Sequence, residues 1–100
     1  MSILTSTSDD GNVLTIKIIG KFQFPLASEF RRSYTDIAQV QEYVLDLKDS
    51  EYLDSSALGM IIALWEFVER NRERIKIINA NDEVTHILES ANFDQLVTLP

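Results

Sequence analysis

Asp54-Ser55-Ser56 stands directly ahead of the apolar run Ala57 to Val68, and there a carboxylate, two hydroxyls and an expected helix start coincide. The first backbone N–H groups of a helix have no partner within it, and Asp or Ser side chains supply one. A single cap suffices, yet three candidates stand in a row. A hydroxyl left over at such a terminus can accept a phosphoryl group, and the positive end of the helix dipole tolerates the product. The segment therefore offers a capped helix and, with it, a site for covalent charge modification.

Other chemistry finds little support. His86 is the lone histidine and falls within an expected third helix, and no Gly-x-Ser-x-Gly elbow exists to build a serine hydrolase around. Asp46, Asp49, Glu51 and Asp54 lie close in sequence but read as a solvated acidic loop rather than paired catalytic carboxylates. Gly11, Gly20 and Gly59 are isolated and fit no nucleotide-binding pattern. With no cysteine and one histidine, neither a thiolate nor a histidine-rich metal site is expected. We expect no enzyme, no catalytic residue, no metal and no cofactor. Sixteen acidic against nine basic residues give a net charge of −7, which opposes binding to nucleic acid and to anionic membranes. Arg31-Arg32 and the Arg70/Arg72/Arg74 run read as a solvated helix face and a helix end. The N-terminal residues lack a signal-peptide pattern, and the longest apolar stretch is shorter than the ~20 residues a bilayer span needs. A cytoplasmic location is expected.

The elements that must position Asp54-Ser55-Ser56 follow from periodicity. One hundred residues, 45% apolar and 25% charged, make a single small globular domain over residues 1–100. A weak strand is expected in Ile3 to Ser6, then a turn at Asp9-Asp10-Gly11-Asn12. Val13 to Ile19 alternates, with Leu14, Ile16 and Ile18 on one face. Pro25 suits a first helical turn, and Leu26, Phe30, Tyr34 and Ile37 form one stripe. Tyr43 to Leu47 is a short buried strand. A helix from Ser55-Ser56 to about Arg70 carries Leu58, Ile61, Ile62, Trp65 and Val68 on one side. Its apolar arc of roughly 220° exceeds the stripe a surface helix needs, so a neighbouring element or a docked partner near Met60 must cover part of it. Ile75 to Ile78 is a strand, Asn81 caps a third helix, Asn92 ends it in a left-handed conformation, and Leu96 to Leu99 is a last strand. The order is β-β-α-β-α-β-α-β. It implies an α/β fold with a mixed sheet, right-handed parallel crossovers and helices mainly on one face.

Tyr52-Leu53-Asp54-Ser55-Ser56-Ala57-Leu58-Gly59-Met60 resembles the signature of the anti-sigma factor antagonists, the STAS domains of bacterial partner-switching systems. The likeness extends to Gly20-Lys21-Phe22, Val44-Leu45-Asp46-Leu47 and Asn92-Phe93-Asp94, essentially the whole chain. The resemblance implies phosphorylation of Ser55 (Ser56 is the second choice) by a serine kinase that is also the binding partner, reversed by a serine phosphatase. It implies a partner-binding surface of Gln23, Asp54, Ser55, Ala57 and Met60, with Ser56 as the structural cap, its hydroxyl turned to the backbone. Gln23 stands where the family often has Asp, and Ala57 where it often has Gly. The expected protein binds an anti-sigma-type kinase when unphosphorylated, is released on phosphorylation, and is a monomer when free. The same scaffold also serves as a constitutive subunit of lipid or anion transport complexes, which is the alternative.

Overall fold

The computed structural model describes residues 2–37 and 39–100. Four strands, β1 (Ser2–Thr7), β2 (Val13–Ile19), β3 (Glu42–Asp46) and β4 (Ile75–Ile78), form one sheet in the order β1-β2-β3-β4. Three helices, α1 (Ala27–Thr35), α2 (Ser55–Phe67) and α3 (Asp82–Ser90), alternate with the later strands. β1 and β2 pair antiparallel, with Thr5 opposite Ile16, while β2–β3 and β3–β4 pair parallel, with Leu45 opposite both Ile16 and Ile77. The hairpin joining β1 to β2 turns at Gly11 (φ 76°), where the Asp10 carboxylate accepts from the Ser8 hydroxyl at 2.6 Å and the Asn12 N–H at 3.0 Å.

The alternation in β2 is realised: Leu14, Ile16 and Ile18 are buried, while Thr15 and Lys17 on the opposite face keep partial exposure. Tyr43 and Leu45 of β3 and Ile75 and Ile77 of β4 continue the buried face. Lys76 of β4 points from the other face into solvent. The helices thus cover one face of the mixed sheet, the arrangement expected from the element order. Leu26, Phe30 and Tyr34 make the buried stripe of the α1 segment, and the aromatic rings run on from Phe22 through Phe30 and Tyr34 to Phe67 with centroids 5.0–5.7 Å apart. Such offset and edge contacts add specificity to the area they bury. The wide apolar arc of α2 is met mostly from within: Ala57, Ile61, Leu64 and Val68 are buried, and Phe67 packs on Tyr34 of α1 and Tyr43 of β3.

Pro25 lies in a 3-10 turn, Phe24–Leu26, that runs straight into α1 at Ala27, so it holds the first helical turn as expected. Four expectations need correction. Ile37 falls beyond the end of α1, and Ile62 lies on the outer side of α2; each is 40% exposed. α2 ends at Phe67 rather than Arg70, because Glu69 (φ 59°) and Arg70 (φ 62°) take left-handed conformations that turn the chain toward β4. Such residues cost roughly 1–2 kcal/mol each without glycine. Here the Arg70 guanidinium lies 5.5 Å from the Trp65 ring centroid and 3.2 Å from the Glu66 carboxylate, which holds the turn. The last strand shrinks to one bridge, in which Thr98 bonds both Ile75 and Ile77 at 2.9 Å. The Leu96 and Val97 N–H groups are both bonded to the Phe93 carbonyl at 3.0 Å, which takes them out of the ladder.

Other local signals hold. Asn81 caps α3, accepting from the Val84 N–H at 2.7 Å, and Asn92 is left-handed at φ 62°. The arginine run departs from the expected helix end: Arg72 and Arg74 lie in a 3-10 turn beyond α2, where Arg74 donates to the Val40 carbonyl at 2.6 Å and Arg72 to the Asp94 carbonyl at 2.6 Å.

Two stability measurements check this account. Leu45→Ala, at the centre of the sheet, should cost about 2–5 kcal/mol in urea unfolding, because a buried side chain is removed from a site ringed by strands and helices. Gly59 is helical and exposed, and a methyl group there would meet nothing within 4 Å. Gly59→Ala should therefore raise stability by roughly 0.5–1 kcal/mol.

Candidate functional site

The loops that follow β2 and β3 leave parallel neighbours at the same end of the sheet, and backbone bonds lace them together. The Gly20 N–H donates to the Asp49 carbonyl at 3.0 Å, the Phe22 N–H to the Tyr52 carbonyl at 3.1 Å, and the Asp54 N–H to the Phe22 carbonyl at 3.3 Å. Phe22 and Leu53 form a parallel bridge and bury both side chains. Beneath them Lys17 and Asp49 pair at 3.0 Å, and the Asp49 carboxylate raises the Lys17 ammonium above its ordinary pKa. These contacts hold the start of α2 beside the turn that leads into α1.

At that start the chemistry divides among three residues. The Asp54 carboxylate is the cap: it accepts the Ala57 N–H at 3.0 Å and the Ser56 hydroxyl at 2.6 Å. The Ser56 hydroxyl bond, followed by the Ala57 N–H, holds the Asp54 carboxyl below its ordinary pKa against the partial burial that opposes it. The assignment of the cap to Ser56 is thereby corrected. Its hydroxyl turns to the Asp54 side chain rather than to the backbone, because the aspartate two residues earlier already occupies the capping geometry. Ser55 is the first residue of α2 and is exposed, and among the described residues no hydrogen bond engages its hydroxyl.

The structure brings Gln23, Asp54 and Ser55 to one end of the sheet. Gln23 is half-buried and precedes the 3-10 turn in an extended conformation (φ −148°, ψ 176°). Ala57 is 0% exposed, so its side chain has no surface to offer a partner. It faces the core because, as the third residue of α2, it lies on the same side as Ile61 and Leu64. Met60 is nearly buried and lies in a groove of about 270 Å³ between α1 and α2, which is also lined by Ala27, Arg31, Tyr34, Ser56 and Gly59. Burial raises the Tyr34 phenol above its ordinary pKa while Arg31 pulls it down, so it remains a neutral donor at the groove. Among the described residues no group of three or more His, Asp or Glu side chains is placed to hold a metal ion. No helix among the described residues is long and apolar enough to cross a membrane.

Two side chains at this end escape sequence reasoning. Phe24 is 72% exposed and Tyr52 44% exposed, on the two segments that the Phe22–Leu53 bridge joins. The available signal for Phe24 is that it falls off the Leu26-Phe30-Tyr34 stripe.

The Asp54 cap sets a pH signature. An aspartate ordinarily titrates near ~3.9, and a folded value below this stabilises the native state above the ordinary value and is lost as pH falls through the depressed one. Asp54→Ala should lower the melting temperature at neutral pH, Asp54→Asn should retain most of it, and the gap between wild type and Asp54→Ala should close on acidification below that range. A gap independent of pH would contradict the cap.

Comparison with known proteins places this geometry. A candidate anti-sigma factor antagonist of Thermotoga maritima superposes with a TM-score of 0.82 at 21% identity, covering 97% of this chain and 84% of that one. The anti-sigma factor antagonist SpoIIAA in its unphosphorylated form superposes with a TM-score of 0.71 at 12% identity, covering 94% and 96% of the two chains. At these identities the likeness is one of fold. A STAS-domain containing protein of Pseudomonas aeruginosa (strain UCBPP-PA14) is 41% identical over 97 residues, covering 96% of each chain. With that relative, and with the STAS domain family model matching residues 5–100, this chain belongs to the STAS domain family.

Proposed function

We propose that this protein is a partner-switching regulator of the anti-sigma factor antagonist type. In the unmodified form it binds a serine kinase of the anti-sigma class, and phosphorylation of Ser55 releases it. The observation that carries this reading is the division of labour at the start of α2. Asp54 and Ser56 satisfy the cap together, and the exposed Ser55 hydroxyl has no structural task among the described residues. The fold likeness to SpoIIAA in both its unphosphorylated and its phosphorylated form, with TM-scores of 0.71 and 0.68, supports a fold compatible with either state.

In the transfer step the Ser55 oxygen attacks the terminal phosphorus of ATP. The bond to the bridging oxygen breaks, ADP leaves with that electron pair, and the hydroxyl proton passes to a base of the kinase. A serine phosphatase reverses the change by hydrolysis, releasing inorganic phosphate. The product carries close to −2 charges beside the ionised Asp54, on a chain already at −7. In water the repulsion is screened and the helix terminus returns about 0.3–1 kcal/mol, so the free domain keeps its fold. In a docked interface the dianion is stripped of water. Without a matching cation that costs several kcal/mol, and each ~1.4 kcal/mol is a factor of ten in affinity. The switch therefore acts on docking rather than on folding.

The test is a pair of substitutions that leave Asp54 and Ser56 in place. Ser55→Ala should bind the kinase as wild type does, and Ser55→Asp should lose roughly tenfold or more in affinity by calorimetry. Mass spectrometry of the protein from cells should find the phosphate on Ser55. Equal affinity of the two variants would sink the switch.

A further inference from the structure

Phe24 is the most exposed of the large apolar side chains among the described residues, and its backbone is pinned on both sides. Phe22 before it and Leu26 after it are buried. The Phe22 carbonyl and N–H are both bonded to the Tyr52–Asp54 segment, the Leu26 N–H returns to the Gln23 carbonyl at 3.0 Å, and Pro25 fixes the turn between them. The ring cannot turn inward without breaking these contacts, so its outward position belongs to the fold. With the backbone fixed, only the two side-chain torsions of Phe24 remain to be ordered when a second protein covers it.

We propose that Phe24 is the apolar anchor of the surface that carries Ser55, seated on docking in an apolar pocket of the serine kinase beside its nucleotide. This rests on the partner-switching reading above. The occupant follows from continuity and charge. The Phe22–Leu53 bridge places Phe24 and Tyr52 on the two segments that converge at the start of α2, so a kinase that brings its nucleotide to Ser55 lies over this end of the domain. A chain of net charge −7 with an ionised Asp54 gains little attraction from nucleotide phosphates. Apolar burial is a source of affinity that this charge does not oppose, and Phe24 offers the largest exposed fraction. Ser55 then decides whether the complex is allowed, and Phe24 how tightly it holds.

The probe is the purified kinase that transfers phosphate from ATP to Ser55, with this chain as its substrate. Phe24→Ala should raise KM for the chain by roughly tenfold or more, the range of an aromatic hot spot, with kcat nearly unchanged. Phe24→Leu should recover most of the loss, and the urea midpoint of both variants should match wild type because the ring lies in solvent. A KM for Phe24→Ala within about twofold of wild type overturns the anchor, whatever Ser55 does. If Ser55→Asp binds as tightly as wild type while Phe24→Ala binds weakly, the switch fails and the anchor stands. If no kinase places phosphate on Ser55, both are overturned.

Discussion

The Asp54 carboxylate, by accepting the Ser56 hydroxyl and the Ala57 N–H together, decides what the rest of this surface can do. A helix start needs one good acceptor, and once the aspartate supplies it the adjacent hydroxyls become free to do something else. Ser56 is drawn back to orient the carboxylate. Ser55, projecting from the first residue of α2, is left facing solvent. Had a serine hydroxyl taken the cap, that serine would have been tied to the backbone and its modification would have unmade the helix start. With Asp54 in place, a charge can be added at Ser55 without removing the acceptor that begins the helix.

Topology explains why this helix start has neighbours worth docking against. β2 and β3 are parallel and adjacent, so the loops at their C-terminal ends emerge side by side, as in open parallel sheets generally. Bonds from Gly20, Phe22 and Asp54 then lock the two loops into one surface. Gln23 and Phe24, 32 and 31 residues from Ser55 in sequence, arrive at the same end of the molecule for that reason. Rigidity comes from the buried side chains of Phe22, Leu26 and Leu53, which tie the surface to the core.

The apolar inventory is divided unequally between core and surface. The faces of β2, β3 and β4 beneath the helices are filled, and α1 closes most of α2. Apolar surface stays open in several places, Leu4 on β1, Ile37 after α1 and Ile62 on the outer side of α2 among them, and toward the start of α2 it comprises the groove between α1 and α2 and the outward Phe24 and Tyr52. Gly59 meets no constraint from φ or from neighbouring atoms, although mid-helix glycine is unfavourable.

Elements governed by local chemistry were legible from residue order alone. The alternation of Leu14, Ile16 and Ile18, the stripe from Leu26 to Tyr34, the Asn81 cap and the left-handed Asn92 each depend on residues within a turn or a pleat of one another, and periodicity reads such relations directly. The α/β class followed from their alternation. Local chemistry could nominate Asp54, Ser55 and Ser56 for the helix start but not rank them, because all three side chains can reach the same N–H groups. Only the folded loop, held by Phe22, chose the aspartate and left Ser55 outward. Tertiary contacts likewise reduced the last strand to the Thr98 bridge and exposed Ile37 and Ile62, since whether an apolar residue is covered depends on partners far away in the chain. Ala57 and Phe24 make the same point in opposite directions. One sits in the motif and is buried, and the other sits outside it and faces solvent, because burial is decided by what packs against a side chain and not by its place in a pattern.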